Sequence, residues 1–402
     1  MIMAYRERLS AYLHGCLIFL ALIVLFSCSP SENSSSTRHA GGEDKSEVVY
    51  AQKFSLGWDS DCRVVKVFSP EHGLEHSYVL VSEDASPPGH LNEATVVRVP
   101  LRSVTCETGF QVSLLDMLGC FDALQGVSGK RRVGQQKVHD MIDRGELSTM
   151  GHMRAINMET FLRLDPDLAF LNVTSFSSDV CEKMETYGLR PGYFCASIEE
   201  HPLGSLEWIK FMGAFFLKDS LAAELFRERE KAYLEIQRKA ASASFRPSVI
   251  AGYSRKGAWS TMGSSRWFVT MLDHAGSSYL FEGFGLERGH LLNPEEAMEA
   301  GMNADYWVNT HFMVSDLDGL LGMDKRYGLF KSVRQETVYN NNNVHFPNAR
   351  NRFWDVGMTE PHVILSDLVS IFHPEILRGR EQVYYRHLGK GVAGRENNGS
   401  KQ

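Results

Sequence analysis

The sequence predicts an α/β protein: two α/β lobes with mainly parallel sheets, joined by one long helix and preceded by a small N-terminal β-rich extension. Three observations predict it. Short β-branched and aromatic runs alternate with amphipathic helical segments over residues 101–204 and again over 246–388, the rhythm of parallel sheets with helices on their faces. Between them, residues 205–245 contain no proline, and only Gly213 interrupts a dense set of helix formers. Finally, NMETFLRLDPDLAFL at 157–171 is related to NPEEAMEAGMNADYWV at 293–308. Each writes a helix that opens at Asn, carries an early glutamate and reaches an aspartate before an apolar strand, so the second half is an architectural echo of the first.

Taken in order, residues 1–28 read as a lipoprotein signal peptide. Arg6 and Arg8 precede LHGCLIFLALIVLFSC, an apolar run that ends at Ser27-Cys28 and is shorter than the roughly 20 apolar residues of a spanning helix. Cys28 is then the lipidated first residue of the mature chain. Phe26 departs from the small or aliphatic residue usual before such a site, and an uncleaved anchor is the alternative. Residues 29–47, rich in Ser, Gly and charge, form a flexible tether. Residues 48–100 hold VVYAQKFSLGW, RVVKVFSP, HSYVLVSE and ATVVRVPL between the turn signals SPEHG and SPPGH, which predicts a hairpin-like antiparallel extension.

The first lobe, 101–204, reads as RSVTC strand, a helix over TGFQVSLLDMLGCFDAL closed by Gly119, LQGVSG strand, the helix at 157–165, LAFLNV strand, a helix over VCEKMETYGL and PGYFCAS strand. The connector, 205–245, contains a longer helix over about 219–242 that Asp219 can cap, with Leu221, Leu225, Phe226, Ala232 and Tyr233 as its apolar stripe. In the second lobe, 246–388, SVIAGYS, ADYWVNTHF and VRQETVYNNN are strands, while WFVTMLDHAG, PEEAMEAG and EPHVILSDLVSIFHPEIL are helices. Residues 389–402 are a tail.

Composition bounds the partners. The 402 residues are 43% hydrophobic and 23% charged, with a net charge of −7, and no long Lys/Arg run offsets the negative balance, which excludes a general nucleic-acid or anionic-membrane binder. Five cysteines after Cys28, at 62, 106, 120, 181 and 195, make an odd count with no CxxC, which argues against a disulfide framework or a four-thiolate zinc site. The chain contains no GxSxG, HExxH or GxGxxG, so an enzyme is not the expectation. Gly126–Lys130 imitates part of a phosphate loop, but Leu124 stands where its first glycine belongs and Arg131 replaces the metal-binding hydroxyl. His72 and His76 lie in a Pro/Gly turn, and His274, His290 and His311 are scattered, so no metal or catalytic cluster assembles.

The runs PLRSVTCETGFQVSLLDMLGCFDALQGVSG, NMETFLRLDPDLAFL, HPLGSLEWIKFMGAFF and NRFWDVGMTEPHVILSDLVSIFHPEI resemble, in order and spacing, the substrate-binding lipoproteins of ABC importers for iron complexes and vitamin B12, over about 100–388. The resemblance implies two lobes around a ligand cleft, a helical hinge that limits closure, and a lipid-anchored monomer in the periplasm or cell envelope that serves an ABC permease dimer. It implies no cofactor: the transported ligand is a small-molecule metal complex, a ferric siderophore first, with a corrinoid such as cobalamin, or haem, as alternatives. It also assigns one surface glutamate per lobe to permease arginines, Glu159 in the first lobe and Glu296, beside Glu295, in the second. A carboxylate in the first turn of a helix is favoured by the dipole; that alone is the competing explanation.

Cleft candidates follow from strand ends: Thr108 and Arg154 in the first lobe, and Tyr253, Trp259, Arg266, Trp267, Arg352 and Trp354 in the second. Aromatic faces supply contact area, and Arg holds carboxylates or anionic chelates bidentately; core packing is the other use of each. Asn340–Asn343 reads as a turn that can contribute a polar contact. MGSSRW departs from the Gly-Gly-x-Ser-Tyr of close members of the group near position 264, so the exact ligand is not carried over.

Overall fold

A computed structural model describes residues 47–389 apart from 60, 70–73, 92, 153–154, 173–177, 261–265, 283–290 and 347–350. The leader with Cys28, the tether before Glu47, Arg154 and the tail after Gly389 lie outside the described residues. Among the described residues no helix is long and apolar enough to cross a membrane.

The extension is a four-stranded sheet: β1 (Phe54–Asp59), β2 (Cys62–Ser69) and β3 (Leu74–Val81) form an antiparallel meander, and β4 (Thr95–Arg98) adds parallel to β3. The expected all-antiparallel hairpin is therefore corrected at its last strand. Residues 82–94 supply the crossover of about a dozen residues that a parallel return needs. The sheet does not precede the body as a separate unit. Its inner face, with Phe54, Val65, Val67, Tyr78 and Leu80, is buried, and Tyr78 Oη donates to Pro191 O at 2.8 Å and accepts from Tyr193 N at 2.9 Å.

The first lobe runs β5 (Val104–Cys106), α1 (Gly109–Met117), β6 (Leu124–Val127), α2 (Gln136–Asp143), β7 (Ser148–Thr149), the hairpin β8 (Gly151–His152) and β9 (Ala155–Ile156), α3 (Met158–Leu164), β10 (Leu168–Asn172), α4 (Ser178–Thr186) and β11 (Pro191–Phe194). Five strands form one parallel sheet in the order β11-β10-β5-β6-β7. The chain builds outward from β5 in one direction and then from β10 in the other.

Two helices connect the lobes, α5 (Pro202–Phe215) and α6 (Asp219–Ala240). Every residue of α5 except Lys210 is buried, as a helix apolar on all sides requires. Gly213 is no mere interruption: a Cβ there would come within 2.7 Å of Ala222 Cβ, so its absence lets α6 fold back against α5. The expected Asp219 cap is corrected. Lys218 is the cap residue, and the Asp219 carboxylate instead accepts from Arg63 of the extension at 3.2 Å.

The second lobe comprises β12 (Ser248–Ala251), β13 (Tyr253–Arg255), β14 (Ala258–Ser260), α7 (Arg266–His274), β15 (Ser278–Tyr279), β16 (Leu291–Leu292), α8 (Pro294–Gly301), β17 (Tyr306–Val308), α9 (Leu317–Met323), α10 (Lys331–Arg334), β18 (Val338–Asn340), α11 (Pro361–Phe372) and β19 (Arg386–His387). Its sheet, β15-β12-β17-β18-β19, is parallel except for β19, and β13-β14-β16 form a small antiparallel sheet beside it. The run VRQETVYNNN is only half a strand. Its first residues close the one-turn helix α10, and Glu336, at φ 57°, turns the chain into β18.

The repeated text has a physical reason. In the first lobe Asp167 Oδ2 accepts from Ser103 N at 2.9 Å while Ser103 Oγ accepts from Asp167 N at 3.0 Å. The second lobe repeats the clip: Asp305 Oδ2 accepts from Ser248 N at 2.8 Å and Ser248 Oγ from Asp305 N at 3.0 Å. Each clip ties the start of a lobe's first strand to the start of the neighbour reached after a whole crossover, β5 to β10 and β12 to β17, and so sets their register.

Burial pushes the Asp305 carboxyl up, but the Lys331 ammonium and the Ser248 donors outweigh it and hold it below its ordinary value of 3.8. Its stabilisation is therefore complete above that unfolded-state value and is lost as the pH falls through the lower folded-state value. Asp305→Asn should lower unfolding free energy by about 1–3 kcal/mol at pH 7, and the deficit should shrink in denaturant titrations as the pH falls below the ordinary carboxyl value of 3.8. The penalties of Ser103→Ala and Ser248→Ala, in separate lobes, should add.

Candidate functional site

Open α/β sheets bind ligands beyond the carboxyl ends of their strands, where the strand order reverses. In the first lobe that point lies between β5 and β10. The residue after β5, Glu107, is 4% exposed; its Oε2 accepts from Asn172 N at 2.9 Å and its Oε1 lies 3.6 Å from Arg132 Nη1. A buried carboxylate thus spans the crevice and holds a guanidinium from the loop after β6. Arg131 and Arg132 are exposed there, which gives this rim a positive face. Thr108 caps α1: its Oγ1 accepts from Gln111 N at 3.3 Å, and Gln111 Oε1 accepts from Thr108 N at 3.0 Å. That capping box shapes the crevice floor and commits the hydroxyl to the backbone.

In the second lobe the reversal lies between β12 and β17, and the chain leaves β17 through Asn309 at φ 49°, a left-handed turn that Asn tolerates better than most residues. His311 follows, with Tyr253 edge-on at 4.6 Å and Phe312 stacked at 4.6 Å between ring centroids. Phe312 is 58% and Met313 75% exposed, an unusual investment of apolar surface at a strand end. His311 Nδ1 accepts from Met313 N at 3.2 Å, and burial, then the nearby Arg255, lower its pKa.

Asn340–Asn342 are buried, which corrects the reading of this run as a simple turn. Asn340 Nδ2 donates to His311 O and Val314 O, both at 2.9 Å; Asn342 Nδ2 donates to Phe312 O at 3.2 Å and Val314 O at 2.8 Å. The asparagines therefore hold the loop that presents Phe312 and Met313, because their amide donors satisfy carbonyls no strand partner reaches.

The structure sorts the other sequence candidates. Tyr253 stands at the crevice. Trp259 is corrected to core: it is fully buried, donates from Nε1 to Ala251 O at 3.0 Å and lies 5.6 Å from Trp307. Trp267 is likewise buried, 6.4 Å from the half-buried Trp354. Arg266 is drawn to the end of the first lobe, where its Nε pairs with Glu200 Oε1 at 3.0 Å. Arg352 lies over the Phe346 ring at 5.4 Å. Sequence reasoning missed Glu107, Arg131, Arg132, Phe312 and Met313. The usable signal was position: the GVSGKRRVG text, rejected as a phosphate loop, still follows a strand's carboxyl end.

Glu159 and Glu296 are both exposed in first turns. Asn157 Oδ1 caps α3 by accepting from Thr160 N at 3.1 Å, and Asn293 Oδ1 caps α8 by accepting from Glu295 N at 2.9 Å. Both helices lead into the strand at their lobe's reversal point, β10 or β17, so the two glutamates occupy equivalent places. Among the described residues no three His, Cys, Asp or Glu groups converge as metal ligands, and burial pushes the Cys181 thiol up to about 12.

No family model matches the chain. A lipoprotein of Methanocaldococcus jannaschii, whose name states no activity, is 24% identical over 352 residues, covering 84% of this chain and 85% of its own; a second is 22% identical over 335 residues, covering 80% and 77%. Among solved structures, a molybdate periplasmic binding protein of an ABC transporter from Haemophilus influenzae superposes with a TM-score of 0.54 at 13% identity, over 69% of this chain and 88% of that one. A Helicobacter pylori protein with Ni(II) bound gives 0.53 at 14%, over 71% and 88%, and a periplasmic heme-binding protein from Pseudomonas aeruginosa 0.50 at 15%, over 71% and 97%. The chain has the two-lobed α/β fold of these solute-binding proteins.

Removing the carboxamides should loosen the presented loop without touching the exposed rings. Asn340→Ala and Asn342→Ala should each cost about 1–3 kcal/mol of stability and speed amide exchange over 311–314. Phe312→Ala should stay within about 0.5 kcal/mol of the parent in the same denaturation assay.

Proposed function

We propose that the protein is the substrate-binding lipoprotein of an ABC importer, which captures an iron complex, a ferric siderophore, between its lobes and delivers it to a permease dimer. The observation that carries this reading is the pair of strand-reversal points, one rimmed by Arg131 and Arg132 and the other by Tyr253, Phe312 and Met313. Guanidinium groups recognise anionic chelate oxygens bidentately, and exposed aromatic faces cover the ligand's flat surfaces. That chains of this fold include proteins named for heme and molybdate binding, and one solved with Ni(II), favours a metal-containing ligand. Haem or a corrinoid is the second reading, favoured by the stacked His311–Phe312 pair, which offers one planar surface.

In this reading Glu159 and Glu296 are the two handles for permease arginines. They are exposed and they sit at equivalent helix starts. Bidentate pairing there sets orientation and encounter rate more than affinity. Lipid on Cys28 and the polar 29–47 tether would keep the receptor at the envelope membrane as a monomer. No resident cofactor is required, since the metal complex is cargo. The connector of packed helices limits closure, so ligand should change the scattering profile only modestly.

Tryptophan-quenching titration with ferric siderophores, cobalamin, cobinamide and haem tests the ligand class; absence of binding below roughly micromolar for all of them sinks the proposal. Glu159→Lys combined with Glu296→Lys should abolish permease-stimulated uptake in proteoliposomes while leaving ligand affinity unchanged, and a loss of ligand binding would instead place these residues in the cleft.

A further inference from the structure

Besides the Arg266–Glu200 pair, the described residues of the two lobes meet at a buried carboxylate beside the crevice. Asp355, from the segment between β18 and α11, is 1% exposed, and its Oδ2 accepts from Gly134 N of the first lobe at 2.8 Å. The same carboxylate lies over Gly109, the first residue of α1: a Cβ there would come within 2.2 Å of Asp355 Cγ and 2.3 Å of its Oδ2. Only glycine at 109 lets the carboxylate reach this place. The first turn of α1 contains no acid of its own, so the positive end of that helix is free to favour a carboxylate from elsewhere.

Both halves of the contact are rigidly mounted. On the second lobe, Asn351 Nδ2 donates to Asn341 O at 2.7 Å, Asn351 Oδ1 accepts from Phe353 N at 2.9 Å, and Arg352 N donates to Val344 O at 3.0 Å. Phe353 is buried edge-on to Tyr384 and Tyr385. On the first lobe, Gly109 N donates to Arg132 O at 3.2 Å, and Arg132 N and Val133 N both donate to Gly129 O. Gly109 opens α1 just beyond the carboxyl end of β5, and Gly134 belongs to the loop after β6 that also presents Arg131 and Arg132. The contact therefore closes the crevice at its ligand side, far along the chain from the connector.

We infer that Asp355 is an interlobe latch, a carboxylate that holds the ligand-free cleft shut by docking on Gly134 and the start of α1 and that must be released for ligand to enter or leave. This rests on the two-lobed receptor reading. Opening the lobes carries a buried carboxylate into water and exposes the Gly134 amide, so the latch sets the population of the open form. A charge-assisted hydrogen bond of this kind is worth roughly tenfold to a hundredfold in an equilibrium constant.

Hydrogen exchange on the full chain without ligand tests it. Asp355→Asn, which keeps the shape, and Asp355→Ala should each raise exchange at Gly134 by roughly tenfold or more, while the amides of β5 and β12 keep their protection. Gly109→Ala should do the same by displacing an intact Asp355. Unchanged exchange at Gly134 in these variants, or an equal rise across β5 and β12, overturns the latch. Because no ligand is present, failure of every tested metal complex to bind would count against the receptor reading and leave this result standing.

Discussion

The Glu207 carboxylate, at the centre of the buried helix α5, is the interaction on which the rest of the structure depends. It is fully buried and accepts from Val49 N, Tyr50 N and Ala51 N at 2.7–2.9 Å and from Lys210 Nζ at 2.6 Å. Left without those donors, a charge in such a helix would cost about 3–5 kcal/mol. Satisfied by them, it fixes the chain's entry onto the spine. Glu199, one helical approach earlier, repeats the arrangement with Gln52 N, Lys53 N and Trp208 Nε1 at 2.8–3.1 Å. Two buried carboxylates thus convert the start of the extension into a strap across the connector.

Once the strap is fixed, packing follows. Phe54 meets Trp208 and Phe211, and Tyr78 meets Phe215, so the extension seals one side of α5 while α6 seals another. A helix covered all round cannot bend without opening several apolar contacts at once. In the proposed receptor such a connector would leave the lobes only small motions, and the Asp355 latch we infer would act at the mouth of the cleft.

Much of the fold was legible from the residues. Alternating β and α text in two blocks identified two parallel sheets because buried parallel strands are short apolar runs and the helices between them keep a 3.6-residue period. The repeat at 157–171 and 293–308 identified equivalent halves, and its aspartates proved to be register clips. The fourth strand of the extension was misread because strand direction depends on the path of residues 82–94, which no periodicity encodes. Asp219 was misread as a cap because a carboxylate at a helix start serves equally well as a partner for Arg63, a residue more than 150 positions away in sequence.

The site was less legible than the fold, for a definite reason. Residue type shows that an aromatic or arginine can contact a ligand, but burial decides whether it does: Trp259 and Trp267 went to the core, while Phe312 and Met313, unmarked in the text, are the ones exposed. By itself the sequence determined the class of fold, the two equivalent halves and the helix-start glutamates, all of which are local patterns repeated along the chain. Only the tertiary structure decided which loops meet across the crevice, that Asn340 and Asn342 support one of them, and that Asp355 reaches Gly134. Those depend on side chains brought together over long sequence separations, where no local preference constrains the partner.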